Sequence, residues 1–530
     1  MNRLHFILPV VLSGLLLSFP WLGILPGWIL FAAFVPLLIA EEYIFQNKEQ
    51  SAGIDFFGYA FLDLLLWNVL TTWWIMHASF FGMVVIVFLN ALCMASVWWL
   101  FHLIKRDFNS GLASFSLVVF WLAFEYLHYN WDMEWPWLSL GNGFANQVSM
   151  VQWYEFSGVT GGSFWILIAN LLLFHAIKNM RKKNHEAWFF LGLFILVVGV
   201  PTVISVYTYR HYQEKGETYE IVVLQPNVDP YAEKFEENTE GQQLLCLLNL
   251  ADSLVTDSTD YVIGPETALH PLWENDQLME NFQIKPFCFR ASVHPRLNFI
   301  LGATTKILFQ PTDPRPPTAR KSPGKGFYFD IYNSALQINS TRKVQIYHKS
   351  ILVSGVEKMP FSKYLSFIEK FIIDLGGTTG SLGKQEGPII FSGSSGLNTA
   401  PVICFESIFG EYVNKYVKQG AAIIFIITND GWWKDTPGCW QHLSYARLRA
   451  IETRRSIARS ANTGISAFIN QKGDLLWVTG WNKKTAIRGK LKSNDAITFY
   501  VRYGDYIGRA SMFASIMILL YFLVHMKIKK

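Results

Sequence analysis

The sequence predicts an α/β or layered α-β-β-α domain, inserted between the seventh and eighth helices of an eight-helix membrane domain. Three observations predict it. The 530 residues are 51% hydrophobic and 16% charged, against about 25% charged in an average soluble protein. The apolar residues are concentrated in 1–207 and 510–526, while 208–505 has the composition of a soluble domain. Within that middle part, short β-branched runs alternate with helical patterns, and several of the runs are apolar throughout, as in Ile423-Ile424-Phe425-Ile426-Ile427. Such runs suit strands buried on both faces.

A hydrocarbon core about 30 Å thick requires a helix of roughly 20 apolar residues. Eight stretches qualify: 4–19, 22–41, 56–77, 80–104, 111–129, 162–178, 188–207 and 508–526. A cleaved leader over 1–25 is the competing reading of the first, but no small-x-small cleavage site precedes the next apolar run. Basic residues mark the cytoplasmic loops. They are Lys48, Lys105 with Arg106, Lys178 with Arg181, Lys182 and Lys183, and the tail residues Lys527, Lys529 and Lys530. Residues 130–161 contain no Lys or Arg and carry Asp132, Glu134 and Glu155. This bias places both termini in the cytoplasm and residues 208–505 outside it. The net charge of +5 is mostly this inner-face lysine and arginine, so it gives no reason to expect nucleic acid as a partner. The domains expected are 1–207 (seven membrane helices), 208–505 (the external domain) and 506–530 (the last membrane helix and a basic tail).

In the external domain, strands are expected at 219–224, 261–264, 298–303, 328–338, 343–347, 400–403, 421–428 and 465–470. Helices are expected at 241–254, 362–373 (with Ser362 as N-cap), 408–418 and 440–455. Residues 310–326 carry many prolines and basic residues and are expected to form a loop. It is either a solvated surface loop or a contact for anionic lipid headgroups. Of the five cysteines, Cys93 lies within a span. Cys246, Cys288, Cys404 and Cys439 are external, where two disulfides or buried thiols are both open. No CxxC or Cys/His spacing suggests zinc.

Three polar residues follow apolar strands directly: Glu266 after Tyr-Val-Ile-Gly-Pro, Lys349 after Val-Gln-Ile-Tyr-His, and Cys404 after Ala-Pro-Val-Ile. Sites form at strand ends in α/β sheets. A charge placed there is expensive unless something pairs with it. The three types also make chemical sense together. A thiolate attacks an acyl carbon, an ammonium favours the thiolate and then the oxyanion, and a carboxylate accepts and returns the proton. Singly, a cysteine at a strand end is more often core, and a lone Glu or Lys is usually a surface residue.

Gly264-Pro265-Glu266-Thr267, Tyr347-His348-Lys349 and Val402-Ile403-Cys404-Phe405-Glu406 resemble the three signatures of the nitrilase, or carbon–nitrogen hydrolase, superfamily. Thr428-Asn429-Asp430-Gly431-Trp432-Trp433 and the run from Ala446 through Arg449, Glu452, Arg455, Arg459, Asn462 and Gly464 do so too. With seven spans before this domain and one after, the whole chain resembles the apolipoprotein N-acyltransferase family, including Pro136-Trp137-Leu138 and the Gly158–Gly162 turn.

The resemblance implies Glu266 as general base, Lys349 as oxyanion stabiliser and Cys404 as acyl-carrying nucleophile. It implies supporting roles for Glu357, Phe405, Glu406 and Trp432, the last on a lid-like loop, and no cofactor or metal. It also implies an acyl donor among membrane phospholipids (chiefly phosphatidylethanolamine), diacylglyceryl-modified apolipoproteins as acceptors, and a place in the inner membrane of a Gram-negative cell. Three departures stand out: Leu352-Val353-Ser354-Gly355-Val356-Glu357 in place of Leu-Val-Pro-Phe-Gly-Glu, Phe405 in place of Tyr, and the 310–326 insertion.

Two other functions compete: a membrane-tethered amidase or nitrilase that uses water, and a non-catalytic binder of lipid or lipoprotein. A transporter is disfavoured because the spans lack paired charges near their centres, Asp63 being the main exception. Trp131, Trp135, Trp137 and Trp153 are expected chiefly as interfacial anchors, and Glu125 and His128 as a wet structural pair near the outer end of a span.

Overall fold

A computed structural model describes residues 4–47, 49, 53–231, 239–322, 326–341, 343–358 and 381–529. The expected helix at 362–373 with its Ser362 cap, and Lys48 and Lys530, lie outside the described residues. The chain forms two compact units, one of Met1–Tyr212 with Tyr503–Lys530 and one of Gln213–Arg502.

In the first unit, seven described helices are long and apolar enough to cross a membrane: Gly27–Gln46, Gly53–His77, Phe80–Asp107, Ser110–His128, Tyr154–Arg181, Glu186–His211 and Tyr506–Ile528. The described part of the first expected span is an apolar helix of 15 residues, Leu4–Ser18. At 1.5 Å per residue it reaches about 22 Å, short of the hydrocarbon thickness. The helix Glu186–His211 exposes Trp188, Phe189, Ile195, Leu196, Val203 and Tyr207, as expected of a surface that meets lipid rather than water.

The span Gly27–Gln46 is not one continuous helix. It breaks at Phe34, just before Pro36, which has no N–H to donate. The Asn170 side chain repairs the break. Its Oδ1 accepts from Phe34 N at 2.8 Å, and its Nδ2 donates to Leu30 O at 2.7 Å. One amide thereby stands in for the missing i→i−4 bond, where no water is available to do so. At their basic ends, three spans are tied by ions. The Lys105 ammonium meets Glu41 and, at 2.9 Å, Glu42; Lys178 reaches Glu42 at 2.8 Å; His102 meets Glu41 at 2.7 Å.

The helix of the sixth expected span begins earlier than 162, at Tyr154, with a kink at Gly158 (φ 62°). Trp135 and Trp137 are not exposed anchors. They stack with ring centroids 5.5 Å apart, and both are buried.

The second unit stacks two sheets. The first runs Thr485–Lys492, Thr218–Gln225, Tyr261–Ile263, Asn298–Phe309, Tyr328–Ile338 and Arg320–Lys321. In it, Leu269–Trp273 also pairs with Asn298–Phe309 and Gln345–His348 with Tyr328–Ile338. The second runs Leu475–Val478, Ala467–Ile469, Ser456–Ala461, Ile423–Thr428, Asn398–Ile403 and Phe391–Ser392. The sheets meet through Tyr261 and Phe425, 5.0 Å apart, and through Ser460 Oγ, which donates to Leu224 O at 2.7 Å. Glu240–Asp252 and Lys285–Val293 cover the first sheet through Leu244, Leu247 and Phe287. Pro437–Thr453 and Gly410–Lys418 lie with the second, Tyr416 OH reaching Pro401 O at 3.3 Å. This is the α-β-β-α layering expected. Every residue of Ile423–Thr428 is buried, and each of its Ile and Phe side chains contributes about 1.5–3 kcal/mol by leaving water.

The 310–326 segment is not wholly a loop. Arg320–Lys321 pairs with Tyr328–Phe329, and the Arg315 guanidinium lies 3.7 Å from the Tyr328 ring centroid. Cysteines 93, 246, 288, 404 and 439 are all free thiols.

Replacing Asn170 with Leu leaves Phe34 N and Leu30 O buried without their partner. A loss of about 2 kcal/mol or more is expected, read as a lower Tm of the full chain in detergent. An unchanged Tm would refute the repair.

Candidate active site

Each of the three sequence-predicted residues sits just past a strand. Glu266 lies three residues beyond Tyr261–Ile263, Lys349 directly follows Gln345–His348, and Cys404 directly follows Asn398–Ile403. The first two come from one sheet and the third from the other. At Cys404 the backbone turns sharply, with φ at 50°, and a 3-10 turn over Cys404–Ile408 begins. A non-glycine residue there is strained, and the turn presents its side chain at the top of the sheet. The Glu266 turn lies flat against a neighbouring strand at Gly302. A Cβ there would fall 2.4 Å from Pro265 O and 2.6 Å from Glu266 Cα, so only glycine fits.

Lys349 is 1% exposed, and its ammonium has two carboxylate partners. Nζ lies 3.1 Å from Glu266 Oε1 and 2.9 Å from Glu357. Burial alone would depress the amine, but Glu266 and Glu357 outweigh it and hold the amine above its ordinary value. Asn333 orders the trio. Its Nδ2 donates to Glu266 Oε1 at 2.7 Å and to Glu357 Oε1 at 2.9 Å, while its main-chain carbonyl accepts from Lys349 N at 2.8 Å. The departure at 354–356 leaves Glu357 in this cluster, because Glu357 Oε2 accepts from Val353 N at 2.8 Å across a turn with Gly355 at φ 83°.

Cys404 is 7% exposed. Burial, and then the Glu266 carboxylate, push its thiol above the ordinary value, while Lys349 and a Thr428 hydroxyl bond pull the other way. Thr428 Oγ1 lies 3.2 Å from the sulfur and 3.1 Å from Asp430 Oδ1. Asp430 accepts from Arg459 Nη2 at 2.8 Å and faces His442 Nδ1 at 3.0 Å. His442 Nε2 in turn lies 3.0 Å from Ser407 Oγ and 3.2 Å from Cys404 O. A buried ionic network thus braces the cysteine turn.

Glu406 ties the lysine loop to the cysteine turn. It accepts from Tyr347 OH at 2.6 Å, Ser350 N at 2.7 Å and Ile403 N at 2.9 Å. Burial pushes its carboxyl up to about 7 against the pull of these donors. Phe405 is buried against Phe409, with centroids 5.2 Å apart. Trp432 is half-buried in the turn Asp430–Trp433. Its ring meets Tyr231 edge-on at 5.3 Å, and its carbonyl accepts from Tyr231 OH at 2.9 Å. The structure therefore clusters Glu266, Lys349 and Glu357, with the Cys404 thiol in their field. It sets Glu406 and Phe405 behind that cluster as framework, and puts Trp432 in a separate aromatic pair.

Sequence reasoning missed Asn333, Thr428 as a thiol partner, and His442. Asn333 lies mid-strand in Tyr-Phe-Asp-Ile-Tyr-Asn-Ser-Ala, where a polar residue on a buried face is the only signal. Among the described residues no group of His, Cys, Asp and Glu has a metal-binding arrangement.

Residues 13–172 match the apolipoprotein N-acyltransferase N-terminal domain, and residues 223–499 match the carbon–nitrogen hydrolase model. Apolipoprotein N-acyltransferase of Chlorobaculum tepidum is 29% identical over 95% of this chain and 93% of its own. That of Geobacter metallireducens is 27% identical over 94% and 91%. That of Pasteurella multocida is 27% identical over 76% and 73%. An acyltransferase N-terminal domain and a thiol-bearing α-β-β-α domain in one multi-pass chain leave one family assignment: this chain belongs to the carbon–nitrogen hydrolase family, among its membrane-borne apolipoprotein N-acyltransferase members.

Proposed function

We propose that this enzyme transfers a fatty acyl chain from a phospholipid, chiefly phosphatidylethanolamine, to the α-amino group of the N-terminal diacylglyceryl-cysteine of apolipoproteins. The observation that carries the reading is the buried lysine held between two carboxylates beside a buried thiol, in a chain that also has membrane helices.

In the first half-reaction the Cys404 thiol proton passes to Glu266 and the sulfur attacks the ester carbonyl carbon. The Lys349 ammonium stabilises the oxyanion. The ester C–O bond breaks, Glu266 returns the proton to the leaving alkoxide, and a lysophospholipid departs. In the second half-reaction a neutral lipopeptide amine attacks the thioester, Glu266 takes its proton, the C–S bond breaks, and Glu266 passes the proton to the departing sulfur, which restores the Cys404 thiol. Glu357 keeps Lys349 oriented, Glu406 and Phe405 support the loops on either side, and Trp432 acts from a lid-like loop.

A membrane setting favours transfer over hydrolysis. Drawing one long acyl chain into water costs on the order of 10 kcal/mol at about 0.8 kcal/mol per CH₂. A site at the outer surface of the bilayer avoids that step. We assign catalysis to residues 208–505, on the periplasmic side of the inner membrane. Both termini are cytoplasmic, with the short helix Leu4–Ser18 counted as the first of eight crossings. The basic ends of the spans support this orientation.

Incubation with phosphatidylethanolamine is expected to add one fatty-acyl mass to the wild type and none to Cys404→Ser, and a diacylglyceryl lipopeptide is expected to remove it as an N-acyl product. Loss of the adduct as free fatty acid would instead favour the water-using amidase. Thr428→Val is expected to slow acyl-enzyme formation about 10-fold or more, the worth of one hydrogen bond to a charged group, with Thr428→Ser close to wild type. Equal loss in both would place the effect in packing. Deacylation by the lipopeptide is expected to rise with pH between about 6 and 8, as the α-amine, with an ordinary pKa near 7.7–8.0, loses its proton. A flat profile would exclude amine attack as the limiting step.

A further inference from the structure

The first unit contains buried polar atoms that the acyl-transfer chemistry does not use. Four of them, Asn90 Oδ1, Glu125 Oε2, His128 Nε2 and Trp135 Nε1, belong to residues that line one small cavity near the end of the helix Ser110–His128. Their residues are 2%, 3%, 2% and 8% exposed. None of the four atoms has a hydrogen-bond partner among the described residues. Met94 and Phe124 supply apolar wall. Four orphaned polar atoms on residues around one small cavity are too costly to be incidental, at about 1–3 kcal/mol each.

The bonds made by the other ends of these side chains fix what each atom offers. Asn90 Nδ2 donates to Asn68 Oδ1 at 2.7 Å, and Asn68 Nδ2 donates to Leu64 O at 2.8 Å, so Asn90 turns its carbonyl oxygen, an acceptor, to the cavity. Glu125 Oε1 already accepts from Trp121 Nε1 and Leu140 N, both at 2.8 Å, and its Oε2 is a second acceptor. His128 Nδ1 accepts from Trp131 Nε1 at 3.2 Å, which leaves the ring proton on Nε2, a donor. An indole nitrogen only donates. The Met133 carbonyl and the Ser163 hydroxyl also face His128 and Glu125, but neither meets Nε2 or Oε2 in hydrogen-bond geometry.

The four unpartnered atoms on these lining residues are two donors and two acceptors, the complement of one water molecule. It leaves about 10 Å³ for the centre of a water-sized sphere, which is close to the space one water needs and too little for any larger ligand. We infer that Asn90, Glu125, His128 and Trp135 form a binding site for a single internal water, which accepts from Trp135 and His128 and donates to Glu125 and Asn90. The water joins the Asn68–Asn90 pair, from two adjacent spans, to Glu125, whose other oxygen anchors Leu140 in the segment after the Ser110–His128 helix. It is a four-way bracket between spans and that segment, and it is independent of the acyl-transfer reading.

The test is an experimental map of the full chain in a lipidic medium at a resolution that shows ordered water. One peak within hydrogen-bond distance of all four atoms is expected. A cavity without density, or side chains that pair directly with one another, overturns the site. A double-mutant cycle on Tm, with Asn90→Leu, Trp135→Phe and the pair, reads the same bridge without a map. The two residues share no direct hydrogen bond, so a water bridge predicts a combined loss smaller than the sum of the single losses. Additive losses count against it. Should a variant fail to fold, the wild-type map decides.

Discussion

The buried ammonium of Lys349 sets the terms for the rest of the catalytic unit. An isolated charge in that position would cost several kcal/mol, so the surroundings must supply compensation from more than one direction. Glu266 arrives from the end of one strand, Glu357 from the far side of a turn, and Asn333 from the middle of a third element, each within 3.1 Å of a partner. Three separate stretches of chain are thereby brought into register around one nitrogen. Burial, and after it the Glu266 carboxylate, leave the neighbouring thiol reluctant to ionise on its own. That fits a nucleophile that gives up its proton only as it attacks, to a carboxylate close at hand.

Two further carboxylates do structural work around this cluster. Glu406 accepts donors from both the lysine loop and the cysteine turn, so neither can shift alone. Asp430 gathers Arg459, His442 and Thr428 below the sulfur. The strained turn at Cys404 is held from both sides by ionic and hydrogen-bonded frames rather than by apolar packing alone, which suits a residue that must keep one orientation in a site meant for greasy substrates.

Much of this was legible in the sequence because its signals are local. A Glu, Lys or Cys directly after an apolar run marks a strand end, and Ile423–Thr428 announces its burial by composition. Other features depend on contacts distant in the chain. Asn333 looks like one polar residue in a strand until Glu266, 67 positions away, comes beside it. The helix repair by Asn170 joins residues 136 positions apart. Ser456–Ala461 was obscured because its serines and arginine read as polar, yet all six residues are buried between strand neighbours. The short strand at Arg320–Lys321 was hidden by the prolines on either side of it, Pro317 and Pro323. The first apolar run had the composition of a span, but its described helical part is 15 residues long.

Gly302 takes no part in the chemistry, yet the base carboxylate depends on it. The backbone of Glu266 rests where a methyl group on Gly302 would otherwise be, so the height of that carboxylate above the sheet is set by an atom that the chain lacks. Alanine at this position would lift the turn and swing Glu266 away from its lysine. Intolerance to substitution in this enzyme is therefore no guide to which residues touch the acyl group. A position beside the active site that admits no added atom has no side chain at all.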